Sequence, residues 1–152
     1  NAMSNPLKAT KFGLPFRHVP TYLAGYYKYK AGDQFTEGGK PVNGKRDICD
    51  IYAIMYETSE SVPTLDGTNA FTSPNLISTA RINNAKETNE WTYFKLPFTT
   101  LPGKFIDKKK LMDGKYNIAI VFTSSLEGDH FNGAIGSTLL IDEAELIYHS
   151  ED

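Results

Sequence analysis

Apolar and polar residues alternate in short runs along this chain, with the two-residue period of strands rather than the longer period of helices. In DICDIYAIMYE, residues 47–57, Cys49, Ile51, Ala53 and Met55 fall on one face and Asp50, Tyr52, Ile54 and Tyr56 on the other. The run predicts a central strand with one fully apolar side and one amphipathic side. YFKLPF, residues 93–98, sets Phe94, Leu96 and Phe98 against Tyr93 and Lys95, with Trp91 joining the polar side. Pro97 cannot donate to a ladder and marks an edge or a bulge. YNIAIVFTSS, residues 116–125, alternates Tyr116, Ile118, Ile120 and Phe122 with Asn117, Ala119, Val121 and Thr123, so one face is expected to be buried. TYLAGYYKYK, residues 21–30, places Leu23, Tyr27 and Tyr29 opposite Tyr22, Tyr26 and Lys28, and Gly25 predicts a bulge or a close backbone approach. Between these runs, residues 32–47, 58–75 and 83–90 are rich in turn formers and read as loops. Short strands, polar loops and few helical signals together predict an all-β fold, a two-sheet antiparallel β-sandwich.

The last run, GSTLLIDEAELIY, breaks the alternation. Leu139 and Ile141 share one phase, whereas Ala144, Leu146 and Tyr148 occupy the other, so the pattern slips at Asp142 and Glu143. Either a β-bulge there shifts the register, or Asp142 points inward with Leu140 and Leu146 and must find partners. A buried carboxylate needs backbone donors, an arginine or a cation, so a structural calcium site built on Asp142 with Glu143 or Asp129 is the chemical alternative to a bulge satisfied by loop amides. No twelve-residue calcium loop accompanies these acids. The segment is expected to run through the middle of one layer.

Composition narrows the function classes. The 152 residues suit one domain, with residues 1–3 read as an expression-tag remnant and 4–152 as a single β-sandwich domain. Sixteen basic and 18 acidic residues give a formal charge of −2, and the densest basic run, Lys108 to Lys110, reads as a solvated turn. Nucleic acid is therefore not the expected partner. Cys49 is the only cysteine, and its neighbours Ile48 and Ile51 suggest a buried inert thiol. His18, His130 and His149 are too scattered for local zinc spacing, and no phosphate-cradling or dinucleotide motif occurs. No apolar run has the length of a membrane span, so no membrane insertion by this chain is expected. The opening NAM suggests a natural chain that extends upstream.

Aromatic content changes the picture most. Nine Tyr, nine Phe and one Trp make 12% of the chain. Sugars are recognised by flat aromatic faces with hydrogen-bonding groups at the rim. Tyr26, Tyr52, Tyr56, Trp91 and Tyr93 are the candidate platform, with Asp50 and Lys28 as its polar edges. The plainer alternative has these rings stacking across strands, and Trp91 plugging one end of the sandwich. A second candidate surface is the loop within residues 124–137, where Asp129, His130, Phe131 and Asn132 lie among glycines; its alternative is tight turns with Phe131 capping the core. Ser124 or Ser125 with His130 and Asp129 contains the residue types of a triad but lacks a nucleophile elbow. A glycosidase pair drawn from Asp50, Glu57, Asp129 and Asp142 needs a separation that the sequence does not fix.

GYYKY at 25–29, SS-x-x-G-D-x-F-x-G-A-x-G-S at 124–137 and L-x-I-D-E at 139–143 resemble the putative carbohydrate metabolism domain family of gut-bacterial cell-envelope proteins, over about Phe16 to Tyr148. The resemblance implies a galactose-binding-like jelly roll, as in many carbohydrate-binding modules, forming the C-terminal part of a longer surface or secreted protein. It implies a location in the cell envelope, at the outer surface or in the periplasm. The function expected is non-catalytic glycan binding, with a structural or protein-interaction module as the alternative and glycoside hydrolysis third. The expected partners are a polysaccharide or oligosaccharide and other domains of the parent protein. No cofactor is required, though structural calcium is compatible.

Overall fold

A computed structural model describes residues 14–16, 19–59, 71, 73–83, 85–125 and 133–148. Aromatic and β-branched runs fold as strands, and glycine, proline and polar clusters connect them. In chain order these are β1 (Leu14–Phe16), β2 (Pro20–Lys30), β3 (Phe35–Glu37), β4 (Lys40–Val42), β5 (Asp50–Glu57) and β6 (Leu76–Arg81). They continue with β7 (Thr88–Pro97), β8 (Thr99–Thr100), helix α1 (Lys108–Met112), β9 (Tyr116–Thr123), β10 (Gly133–Ala134) and β11 (Thr138–Tyr148). The strands form a five-stranded sheet ordered β1-β9-β5-β6-β8, a three-stranded sheet β11-β2-β7 and a small sheet β10-β3-β4. All pairings are antiparallel.

The two larger sheets face each other. Leu23, Tyr27 and Tyr29 of β2 and Phe94 and Leu96 of β7 share one buried cluster with Ile51 and Ala53 of β5 and Ala80 of β6, as a two-layer sandwich requires. Met55, Ile77, Tyr116 and Ile118 continue this interior toward Leu111 of α1. The inward phases read from β2, β7 and β9 are the ones observed.

The second face of β5 differs from expectation. Tyr52, Ile54 and Tyr56 are as buried as the inward face, joined by Leu76, Ala119 and Val121 in a second apolar cluster outside the five-stranded sheet. The amphipathic side is therefore a core side. The same holds for β9, whose Ala119 and Val121 are more completely buried than Ile120 and Phe122.

Residues 32–47 are also more ordered than a loop. Gly38 (φ 57°) and Gly39 (φ 85°) are both left-handed, which lets β3 turn directly into β4. The Lys108 to Lys110 run is the first part of α1, where the Asp107 carboxylate accepts the amides of Lys109 (2.8 Å) and Lys110 (3.1 Å) as an N-cap, while the lysine side chains stay in solvent.

β11 carries the predicted register break. Asp142 pairs with Tyr26 and Glu145 with Ala24, leaving Glu143 and Ala144 opposite Gly25 alone. The inward residues are Leu139 and Ile141 before the break and Leu146 after it. Asp142 is exposed, and its Oδ1 accepts the Glu143 amide at 2.9 Å, so the bulge and not an inward acid accounts for the slip. Gly25 is required beneath it: a Cβ there would lie 2.9 Å from Phe94 Cζ and 3.1 Å from Ala144 Cα. Among the described residues β11 pairs only with β2, at the edge of its sheet rather than in its middle.

Candidate functional site

The outer face of the three-stranded sheet gathers three of the candidate aromatics. Inward phases on β2 and β7 are taken by core residues, so Tyr22, Tyr26 and Lys28 of β2 and Trp91, Tyr93 and Lys95 of β7 must point outward. Tyr26 pairs directly with Tyr93, and their rings lie 5.2 Å apart at 57°. Tyr26, Tyr93 and Trp91 are 36%, 51% and 45% exposed, which is far more than a core stack permits. Lys28 Nζ stands 4.9 Å from the centre of the Trp91 ring, and Lys95 Nζ 4.3 Å from that of Tyr22. The face is thus a ladder of rings whose two ends are each covered by an ammonium group. Ala24, on the same face, is fully buried beneath its larger neighbours.

The remaining platform candidates lie on the other sheet and do not join this face. Tyr52 is buried, its ring 4.8 Å from that of Phe71 in an edge contact, and Tyr56 is buried with its hydroxyl unpartnered among the described residues. Asp50 is buried and bound by Arg81 through two hydrogen bonds, Nε at 3.1 Å and Nη2 at 2.7 Å. Arg81 stacks in turn on Phe71, 4.3 Å from the ring centre. This arrangement occupies Asp50 with the chain's own arginine rather than offering it as an open rim. Glu57, at the opposite end of β5, receives Lys110 Nζ at 2.9 Å. At about 3.3 Å per residue the two acids stand roughly 23 Å apart, beyond the roughly 5–9.5 Å that a glycosidase pair requires.

Asp129, His130, Phe131 and Asn132 lie outside the described residues, and so do His18 and His149. Of the proposed calcium ligands, Asp142 is therefore the one placed together with Glu143. Among the described residues no group of three or more His, Cys, Asp or Glu side chains is arranged to hold a metal ion.

Asp47 is a second buried acid, besides Asp50. At 5% exposure, its Oδ2 accepts Ser125 Oγ (2.5 Å), Ser137 Oγ (2.7 Å) and the Ala134 amide (2.9 Å), and its Oδ1 accepts the Ile48 amide (2.9 Å). Ser137 Oγ also accepts the Gly32 amide at 3.0 Å, and the nearby Tyr29 hydroxyl donates to the Ser124 carbonyl at 2.6 Å. One carboxylate thereby ties the entry to β5, the exit of β9, β10 and the start of β11. Four of the chain's own donors converge on this carboxylate, and it acts as a structural clasp.

The family described as Putative carbohydrate metabolism domain matches residues 1–147. The crystal structure of a putative glycoside hydrolase from Bacteroides thetaiotaomicron is 89% identical with a TM-score of 0.93, over 99% of this chain and 44% of that one. A second, of a putative glycoside hydrolase from Bacteroides vulgatus, is 47% identical with a TM-score of 0.88, over 98% of this chain and 60% of that one. This chain thus spans about half the length of these solved relatives. The comparison with curated proteins returned no match.

Proposed function

The chain belongs to the putative carbohydrate metabolism domain family, and we propose that it acts there as a non-catalytic saccharide-binding module, with the outer face of the three-stranded sheet as its binding surface. The observation that carries this reading is the contiguous exposure of Tyr26, Tyr93 and Trp91 on one regular sheet face. Exposed rings in a row offer the apolar side of a pyranose the contact that water does not, and a rigid sheet holds them with little ordering cost. The glycoside hydrolase names belong to longer chains. In this reading the module supplies glycan contact within such a protein, at the cell surface or in the periplasm, and catalysis resides in another part of it.

Calorimetric titration against a panel of plant and host oligosaccharides tests the reading. A binding glycan should lose about tenfold or more in affinity, ~1.4 kcal/mol, on Trp91→Ala or Tyr93→Ala, at unchanged melting temperature. Phe71→Ala, packed against the other sheet, should leave the affinity unchanged. Absence of binding across the panel, or binding indifferent to both face variants, would contradict it.

A further inference from the structure

We infer that the saccharide taken by this face is anionic, carrying carboxylate or sulfate groups; the inference rests on the binding surface proposed above and adds its chemical class. Lys28 and Lys95 are the grounds. Both ammonium groups sit over aromatic rings, Lys28 on Trp91 and Lys95 on Tyr22, and among the described residues neither has a carboxylate within ion-pair distance. Elsewhere on the surface Lys45, Arg46 and Lys110 are held by Glu37, Glu87 and Glu57. Lys28 and Lys95 are the ones that bracket the Tyr26 and Tyr93 pair. Lys95 pairs in register with Ala24, four residues along β2 from Lys28, so the two backbone positions are separated along the strand by about 13 Å. That is the length of a short oligosaccharide lying over the rings.

The acids on this face lie along β11. Asp142 and Glu145 pair in register with Tyr26 and Ala24 from β11, on the side of β2 away from β7. The face is therefore polarised, with cations over β2 and β7 and carboxylates along β11. β11 stands about 5 Å from β2 and about 10 Å from β7, so an anionic group is best placed toward β7, where Lys28 reaches Trp91 and Lys95 is rooted.

Displacement sets the preference. A sugar ring that lies flat on Trp91 must move the Lys28 ammonium off that ring, and the cation–π attraction is lost. If the sugar carries an anionic group, the displaced ammonium gains an ion pair beside the ring, on a surface partly cleared of water, and the loss is offset. A neutral sugar offers no such return. Lysine is a flexible point charge with three donors, so carboxylate and sulfate satisfy it alike.

The test uses the whole chain with matched pairs of probes: trigalacturonate against its trimethyl ester, and a sulfated galactose trisaccharide against its desulfated counterpart. The inference expects the charged member of at least one pair to bind about tenfold more tightly at low salt, with the gap closing toward about 0.5 M salt. Which pair shows the gap identifies the source of the charge. Lys28→Gln with Lys95→Gln should abolish the gap by weakening the charged member, at unchanged melting temperature. Equal affinity within both pairs overturns the inference and leaves the saccharide reading standing. A gap that survives the double lysine variant also overturns it, because the cation then lies elsewhere. If none of the four probes and no glycan of the wider panel binds, both the inference and the reading beneath it fall.

Discussion

Asp47 and Asp142 show how differently two acids of one chain behave. Asp47 is closed in by its own next amide and by three distant donors, Ser125, Ala134 and Ser137, while Asp142 meets solvent and only its own next amide among the described residues. Asp47→Ala leaves two hydroxyls and two amides without an acceptor and is expected to cost about 2–4 kcal/mol of unfolding free energy in urea denaturation. Asp142→Ala should fall within about 0.5 kcal/mol of the parent by the same measurement. Equal effects would contradict the assignment of the clasp. The sequence drew attention to Asp142 because it interrupts an apolar alternation. Asp47 interrupts nothing: it stands at the polar end of a turn-rich stretch, and its partners Ser125 and Ser137 are 78 and 90 residues away. Cys49 was legible, because apolar neighbours predict burial and burial penalises the thiolate. That desolvation, with the charges of Asp50 and Asp47 adding to it, pushes the thiol up to about 12. At pH 8 the native chain should therefore resist a thiol reagent such as dithionitrobenzoate and react fully once unfolded in guanidinium.

At the level of elements, the bulge on β11 is the feature that local pattern revealed and strand pairing completed. Glu143 holds φ 51°, a left-handed conformation that disfavours a side chain. Replacing it with glycine is expected to stabilise the fold by about 0.5–1 kcal/mol, and Glu143→Val to destabilise it by about 1 kcal/mol or more, both read from thermal or urea unfolding. The phase slip at Asp142 and Glu143 was visible in sequence because side chains alternate strictly, so one extra residue inverts the pattern. The position of β11 at a sheet edge was not visible. Leu140 and Tyr148 look like core residues in a one-dimensional pattern, yet they lie exposed, and no local signal says which strand lacks a second neighbour. The aromatic platform divided for a related reason. Tyr52 and Tyr56 have the same alternation as Tyr26, but the face of β5 they occupy is covered and the outer face of β2 is not. A tyrosine suits both settings, and only the packing of other segments decides between them.

Across the whole molecule, the sandwich interior binds protons more tightly than the unfolded chain does. Tyr27 and Tyr29 are raised first by desolvation in the core, as Cys49 is. A group whose pKa is raised on folding contributes stability that is complete below its unfolded value and is lost as pH climbs through its folded one. The ordinary values are 9.0 for the thiol and 10.0 for the phenols, so the urea midpoint should decline from about pH 9 upward, where the unfolded chain gains by ionising. A midpoint that stayed level to pH 11 would contradict the burial of these three groups.

The outer face of the three-stranded sheet contains the chain's only tryptophan, Trp91, so its fluorescence reports on that surface without labelling. The most direct measurement is acrylamide quenching of Trp91 in the presence and absence of a saccharide that binds by calorimetry. Contact on this face predicts marked, saturable protection from quenching at the calorimetric affinity. Quenching that is unchanged at saturating ligand would place the saccharide elsewhere on the molecule and contradict the proposal.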